Sequence, residues 1–112
     1  MMFELRGYID PKGNKPFAKW FEKLDITAAV KVTTALTRME NGNFSNVEGV
    51  GAGVSEYKIN FGRGYRIYFG RDGERLVILL HGGTKKRQDE DIALAQAYWA
   101  DYKRRRKYAS YP

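Results

Sequence analysis

Apolar and polar residues alternate through Tyr57-Lys58-Ile59-Asn60-Phe61 and again through Tyr65-Arg66-Ile67-Tyr68-Phe69. Side chains on a strand alternate between faces, so this period of two predicts two strands joined at Gly62-Arg63-Gly64. Tyr57, Ile59, Phe61, Tyr65, Ile67 and Phe69 then share one face, expected to be core. Lys58, Asn60, Arg66 and Tyr68 share the other. That second face is expected to be open, and it presents cations, an amide and a phenol.

Upstream, Phe3 to Tyr8 reads as a short first strand and Asp10-Pro11-Lys12-Gly13-Asn14 as a turn. Pro16 suits the first position of a helix, where its missing N–H does no harm. Phe17, Trp20, Phe21 and Leu24 recur there at helical spacing. Asp25 is placed to cap a second helix with Ile26, Ala29, Val30, Leu36 and Met39 on its apolar side. Asn41-Gly42-Asn43 stops it. Gly49-Val50-Gly51-Ala52-Gly53 reads as a flexible connection into the hairpin. It is no nucleotide loop, because no Lys-Ser/Thr pair follows it.

Downstream, Asp72-Gly73 signals a two-residue turn. Pairing Arg71 with Glu74 sets Phe69 opposite Leu76, Ile67 opposite Ile78 and Arg66 opposite Leu79. His81 then falls on the face of Arg66 and Lys58. Asp89-Glu90-Asp91 suit the first turn of a helix. Ile92, Ala95, Tyr98, Trp99 and Tyr102 form its apolar side, and Lys103 to Lys107 suit its end. The order β-α-α-β-β-β-α predicts an α+β fold with two helices packed on a small antiparallel sheet. Residues 1–112 are expected to form one domain with a basic C-terminal tail at 103–112.

Charge sharpens this picture. The net charge is +7. Residues 1–50 hold seven Lys/Arg and six Asp/Glu, a balance of +1, and residues 51–112 hold thirteen and seven, a balance of +6. A basic half points to an acidic partner, most often nucleic acid. The chain has eight tyrosines among these cations, a residue type that stacks on unpaired bases. No apolar run approaches the roughly 20 residues of a membrane span. No apolar signal segment opens the chain, so a cytoplasmic protein with no membrane partner is expected. With no cysteine and one histidine, disulfides and thiolate metal sites are excluded.

The runs Gly53-Val54-Ser55-Glu56-Tyr57-Lys58-Ile59, Gly62-Arg63-Gly64-Tyr65-Arg66-Ile67-Tyr68-Phe69 and Leu79-Leu80-His81-Gly82-Gly83-Thr84-Lys85, followed by Gln88 and Asp91-Ile92, form a pattern. In it the chain resembles the RelE/HigB-type toxins of bacterial toxin–antitoxin modules, in the RelE/ParE superfamily and its addiction-module killer group. The resemblance covers nearly the whole chain. It implies a RelE-like fold and an endoribonuclease, an mRNA interferase that inhibits translation on the ribosome. It also implies a cognate antitoxin, usually a helix-turn-helix protein, with operator DNA reached only through that antitoxin. Lys58, Arg66 and Lys85 match the basic positions of the motif set. Asn60 stands where the RelE pattern has a second lysine. The C-terminal catalytic tyrosine of that pattern has no counterpart, since Gln-Asp-Glu-Asp follows Arg87. The alternatives are a ParE-like poison of DNA gyrase without ribonuclease activity and a non-catalytic RNA-binding domain.

RNA cleavage without a metal uses the substrate's own 2′-hydroxyl, and arginine and lysine must then hold the phosphorane charge. No metal and no cofactor is expected, since one histidine without cysteine makes no zinc set. Arg66 is the first choice for the scissile phosphate, because its fork matches two phosphate oxygens. Its alternative is a salt bridge with Glu56 or Asp72. Lys58 is expected to stabilise charge, or to act as base if neighbouring cations lower its pKa; the alternative is a solvated lysine. His81 is a candidate general acid or base, or a structural residue at a strand end. Lys85 joins the catalytic candidates. Lys86 and Arg87, which follow it where a strand hands over to a helix, are expected to contact RNA. Asn60, Arg63 and Tyr68 complete the RNA-binding set, Tyr68 by stacking on a base. Gly82 and Gly83 are expected to let an RNA backbone approach closely.

Overall fold

A computed structural model of the chain describes residues 2–109. The first strand, β1 (Glu4–Gly7), leads into helices α1 (Pro16–Glu22) and α2 (Ile26–Glu40). Strands β2 (Val47–Gly51), β3 (Val54–Ile59), β4 (Tyr65–Asp72) and β5 (Leu76–Thr84) follow. A short 3-10 turn at Lys85–Arg87 then opens α3 (Gln88–Ala109). The strands form one sheet in the order β1-β5-β4-β3-β2. This is the expected α+β fold.

Local sequence accounts for the first half. Pro16 occupies the start of α1, and Phe17 is its buried anchor. The Asp25 carboxylate accepts from the Ala28 N–H at 2.8 Å and caps α2. The face that α2 buries differs from expectation. Ala28, Val32, Ala35 and Met39 lie against the sheet, while Ile26 and Val30 are 84 % and 58 % exposed. Met39 is buried and Leu36 packs against the core as expected, while the small residues Ala28 and Ala35 take the rest of the stripe and let the helix approach closely.

The β3–β4 hairpin keeps the predicted sharing of faces, and its pairing sets Lys58 opposite Arg66 and Tyr57 opposite Ile67. Two other expectations change. Val47–Gly51 is an antiparallel edge strand on β3, and the chain turns tightly at Gly51-Ala52-Gly53 instead of running loosely into the hairpin. The sheet is also mixed, because β1 lies parallel to β5.

The β4–β5 register differs in an instructive way. A two-residue turn puts Gly73 opposite Asp72, yet Asp72 pairs with Leu76, three residues further on. An odd shift reverses the faces of a strand. Val77 and Leu79 therefore join Ile67 and Phe69 under α1 and α2, while Ile78 and Leu80 join Tyr68 on the other face. The pairing then shifts once more between Tyr68 and Phe69. His81 ends opposite Tyr68, in the place the two-residue turn gives to Val77, four residues away. An even shift keeps the face, so His81 does share the face of Arg66 and Lys58.

Both faces of the sheet are covered. Phe17, Val32, Ala35 and Met39 pack on Tyr57, Ile59, Ile67, Phe69, Val77 and Leu79. On the opposite face α3 places Ala95 and Trp99 on Tyr8, Val54, Tyr68, Ile78 and Leu80. The face expected to be open is thus a second core. α3 also runs past Lys107 to Ala109, so most of the basic tail is helical, and its last three residues lie outside the described ones. Among the described residues, no helix is long and apolar enough to cross a membrane.

Candidate functional site: a basic cleft at the end of the hairpin

Because α3 covers the middle of the sheet, the polar face stays open only near the β3–β4 turn. There Lys58 from β3, Asn60 from the turn, Arg66 from β4 and Lys85 from the β5–α3 junction line a cleft of about 520 Å³. Ser45, Asn46 and Glu48, from β2 and the chain leading into it, form the opposite wall. Of the expected catalytic residues, Lys58, Arg66 and Lys85 are brought together, and His81 is not.

Arg66 lines this cleft and is also ion-paired. Its Nε donates to Glu56 Oε1 at 2.8 Å and its Nη1 to the Gly64 carbonyl at 2.6 Å. Glu56 is 1 % exposed. The Gln88 side-chain amide donates to both of its carboxylate oxygens, at 3.0 and 3.1 Å. The salt bridge weighed as an alternative for Arg66 therefore exists, and it is compatible with a phosphate role. A guanidinium has five N–H donors. These bonds use two and fix the plane of the group, leaving the others for a ligand.

Lys58 is exposed and pairs with Glu48 at 2.6 Å. Both partners are about half exposed or more, so the pair contributes little stability and exchanges readily with another anion. The hydrogen bond from Lys58, then its charge, holds the Glu48 carboxyl below the usual carboxylate range. Lys85 is exposed, and its N–H bonds the Arg63 carbonyl at 3.3 Å. That bond docks the 60–64 turn onto the start of the 3-10 turn. Arg63 itself is exposed in the turn, and Lys86 is exposed beside Lys85.

The remaining candidates lie elsewhere. Tyr68 is fully buried under α3, so its ring has no open face for a base. Burial first, then the Glu56 charge, pushes its phenol well above the ordinary value. Its hydroxyl has no hydrogen-bond partner. Arg87 pairs with Glu90 on α3 and faces a different hollow. His81 Nε2 lies 3.0 Å from Asp91 Oδ1, and Nδ1 is unpartnered. The space at Gly82 and Gly83 is already filled. A Cβ on Gly82 would come within 2.1 Å of the Trp20 ring, and one on Gly83 within 1.9 Å of Asp91 Oδ2. These glycines admit protein groups, not the RNA backbone expected there.

Sequence reading missed Glu48 as a member of the cleft and Asp91 as the partner of His81. Val47 and Val50 around Glu48 carried a weak strand signal that the glycines masked. Asp91 looked like one of three acids at a helix start, and the signal that marked it was its place one turn before Ala95 on the apolar side of the helix.

The family model described as "Phage derived protein Gp49-like (DUF891)" matches residues 19–100, from α1 into α3 and across every residue of the cleft. The chain belongs to the Gp49-like family. That family is associated with the toxins of toxin–antitoxin systems, which implies a cognate antitoxin as partner. The chain is also 38 % identical over 89 residues to an uncharacterized protein of Haemophilus influenzae (strain Rd). The match covers 79 % of this chain and 90 % of the Haemophilus protein.

Proposed function

We propose that this Gp49-like chain is a RelE/HigB-type toxin that cleaves messenger RNA in the cytoplasm, on the ribosome, without a metal. The observation that carries the reading is the convergence of Lys58, Arg66 and Lys85, from three different elements, on one cleft. A helix-turn-helix antitoxin would neutralise the toxin, and operator DNA would be met only through that protein.

The chemistry follows from the cleft's contents. The 2′-oxygen attacks the adjacent phosphorus, a 2′,3′-cyclic phosphate forms and the bond to the 5′-oxygen breaks. Arg66, held in plane by Glu56, takes the growing charge on the equatorial oxygens. Glu48 accepts the 2′ proton, and a lysine ammonium of the cleft hands one to the departing 5′-oxygen. A phosphate that draws Lys58 away removes the partner that depresses the Glu48 pKa, so substrate binding raises the basicity of that carboxylate.

The test is incubation of purified protein with single-stranded RNA, and with ribosomes programmed with messenger RNA, in the presence of a chelator. New ends carrying cyclic phosphate and 5′-hydroxyl support the reading, as does protection by a 2′-O-methyl group at the cut position. Intact RNA in both systems, with a DNA-damage response on induction in cells, would replace the nuclease with a gyrase poison.

A further inference from the structure

Two hollows lie beyond the cleft, across the β5–α3 junction. Thr84 and Arg87 line the first, of about 370 Å³. Lys19 and Lys23 of the α1 region line the second, of about 390 Å³. Trp20 and His81 line both. Thr84 precedes Lys85, which lines the cleft, so the three concavities follow one another around the end of the sheet.

We infer that the hollows on either side of Trp20 and His81 form a second nucleotide subsite, which takes an unpaired base of the RNA strand leaving the cleft. The inference rests on the RNA reading above and extends it.

Two features suit this occupant. The indole of Trp20 is seated on the bare backbone of Gly82 and is reached from both hollows. It is therefore a rigid aromatic surface, and aromatic surfaces bind bases without regard to sequence. Lys19, Lys23 and Arg87 are exposed on the rim, where a backbone phosphate would run. Asp10 and Asp91 also line the hollows, one in each, but their carboxylates are engaged within the protein, by Lys12 and Asn14 and by His81, so they do not repel a phosphate on the rim as free charges would. A fixed aromatic ring beside exposed cations describes a base pocket with a phosphate rim.

The probes are uncleavable 2′-O-methyl oligoribonucleotides, one just long enough for the cleft and others extended at either end. Affinity is read by fluorescence anisotropy across a range of salt. The proposal expects extension at one end to tighten binding about tenfold or more, the scale of one stacked base with its phosphates. Lys19→Glu with Lys23→Glu, both on exposed positions, should remove most of that gain and lower the salt slope by roughly 1.4, at about 0.7 per phosphate contact. Binding of the short probe should stay within twofold of wild type. Trp20→Phe should keep part of the gain, and Trp20→Leu should lose it.

Extension without gain, or a double variant that keeps both the gain and the slope, would overturn the subsite and leave the nuclease reading standing. If the double variant keeps oligonucleotide affinity but escapes neutralisation by the antitoxin in cells, the surface docks protein and the subsite is wrong. Failure of wild-type protein to bind either length would overturn this inference, and the RNA reading falls with it only if messenger RNA on programmed ribosomes also stays intact.

Discussion

Glu56→Ala tests whether the cleft depends on a buried charge. Glu56 is 1 % exposed and holds Arg66, whose side chain is 10 % exposed, together with Gln88 at the start of α3. Alanine would leave the guanidinium buried with only the Gly64 carbonyl as partner. Removing one member of a buried pair costs about 3–5 kcal/mol, because the other charge stays desolvated and unmatched. A domain of this size is stable by roughly 5–15 kcal/mol. The loss is therefore a large fraction of the total, and at roughly 4 °C per kcal/mol it lowers Tm by about 12–20 °C.

Glu56→Gln should cost less, about 1–3 kcal/mol, since the amide still accepts from Arg66 but turns a donor toward one polar neighbour. Urea denaturation of Glu56→Ala, Arg66→Met and Glu56→Ala/Arg66→Met completes the cycle, with Glu56→Gln measured beside them. The double variant removes both charges, so its loss should fall well short of the sum of the single losses. A loss below about 1 kcal/mol for Glu56→Ala, or strict additivity in the cycle, would refute the buried-pair argument. It would also remove the reason for treating Arg66 as a fixed group.

Three further outcomes follow from the same geometry. Arg66→Ala should lower RNA cleavage by about 100- to 1,000-fold in a protein that still folds but is less stable, since Glu56 stays buried without its cation, read by single-turnover kinetics beside circular dichroism. Tyr68→Phe removes a buried hydroxyl that has no partner, so urea denaturation should show it neutral or stabilising by about 1 kcal/mol, where a hidden hydrogen bond would give a loss. At high pH, Tyr8 and Tyr102 are each pushed up to about 12, by burial first and then by their hydrogen bonds to Asp101 and Asp72. Their folded pKa values exceed the unfolded value near 10, so their stabilisation is intact below pH 10 and is lost as pH rises toward 12. In a tyrosinate absorbance titration, Tyr8→Phe and Tyr102→Phe should each remove one tyrosine from this late component, and a normal titration of all tyrosines near pH 10 would contradict it.

The predicted face of His81 shows how a residue can be placed correctly for the wrong reason. The turn signal at Asp72-Gly73 gave the position of the hairpin but not its loop length, and the chain turns through Gly73-Glu74-Arg75. That error alone would have put His81 under α1. The irregularity beside Leu80 shifts the pairing once more and returns it. Local sequence carries no mark for such a bulge, because the residues concerned are ordinary strand formers. By contrast, the faces of the β3–β4 hairpin were legible, since alternation over five residues on each side of a glycine turn buries all the apolar groups together, and only an odd slip would separate them.

The larger misreading, an open polar face, could have been avoided within the sequence. Alternation separates two faces but does not say which of them meets water. The apolar side of α3, with Ala95 and Trp99, needs a surface to cover, and α1 with α2 already claims the Ile67 face. Only the face of Tyr68 remained. Accepting that, Glu56 must lie inside, and a buried carboxylate requires a cation within reach. Arg66 is its neighbour across the ladder and the residue the fold supplies. What then stays exposed is the end of the hairpin, where Lys58 and Asn60 pass the edge of α3. The site is therefore at the rim of the sheet because its face is core. Two of the cations there are already matched by a carboxylate, which a phosphate must displace at Lys58 and share at Arg66.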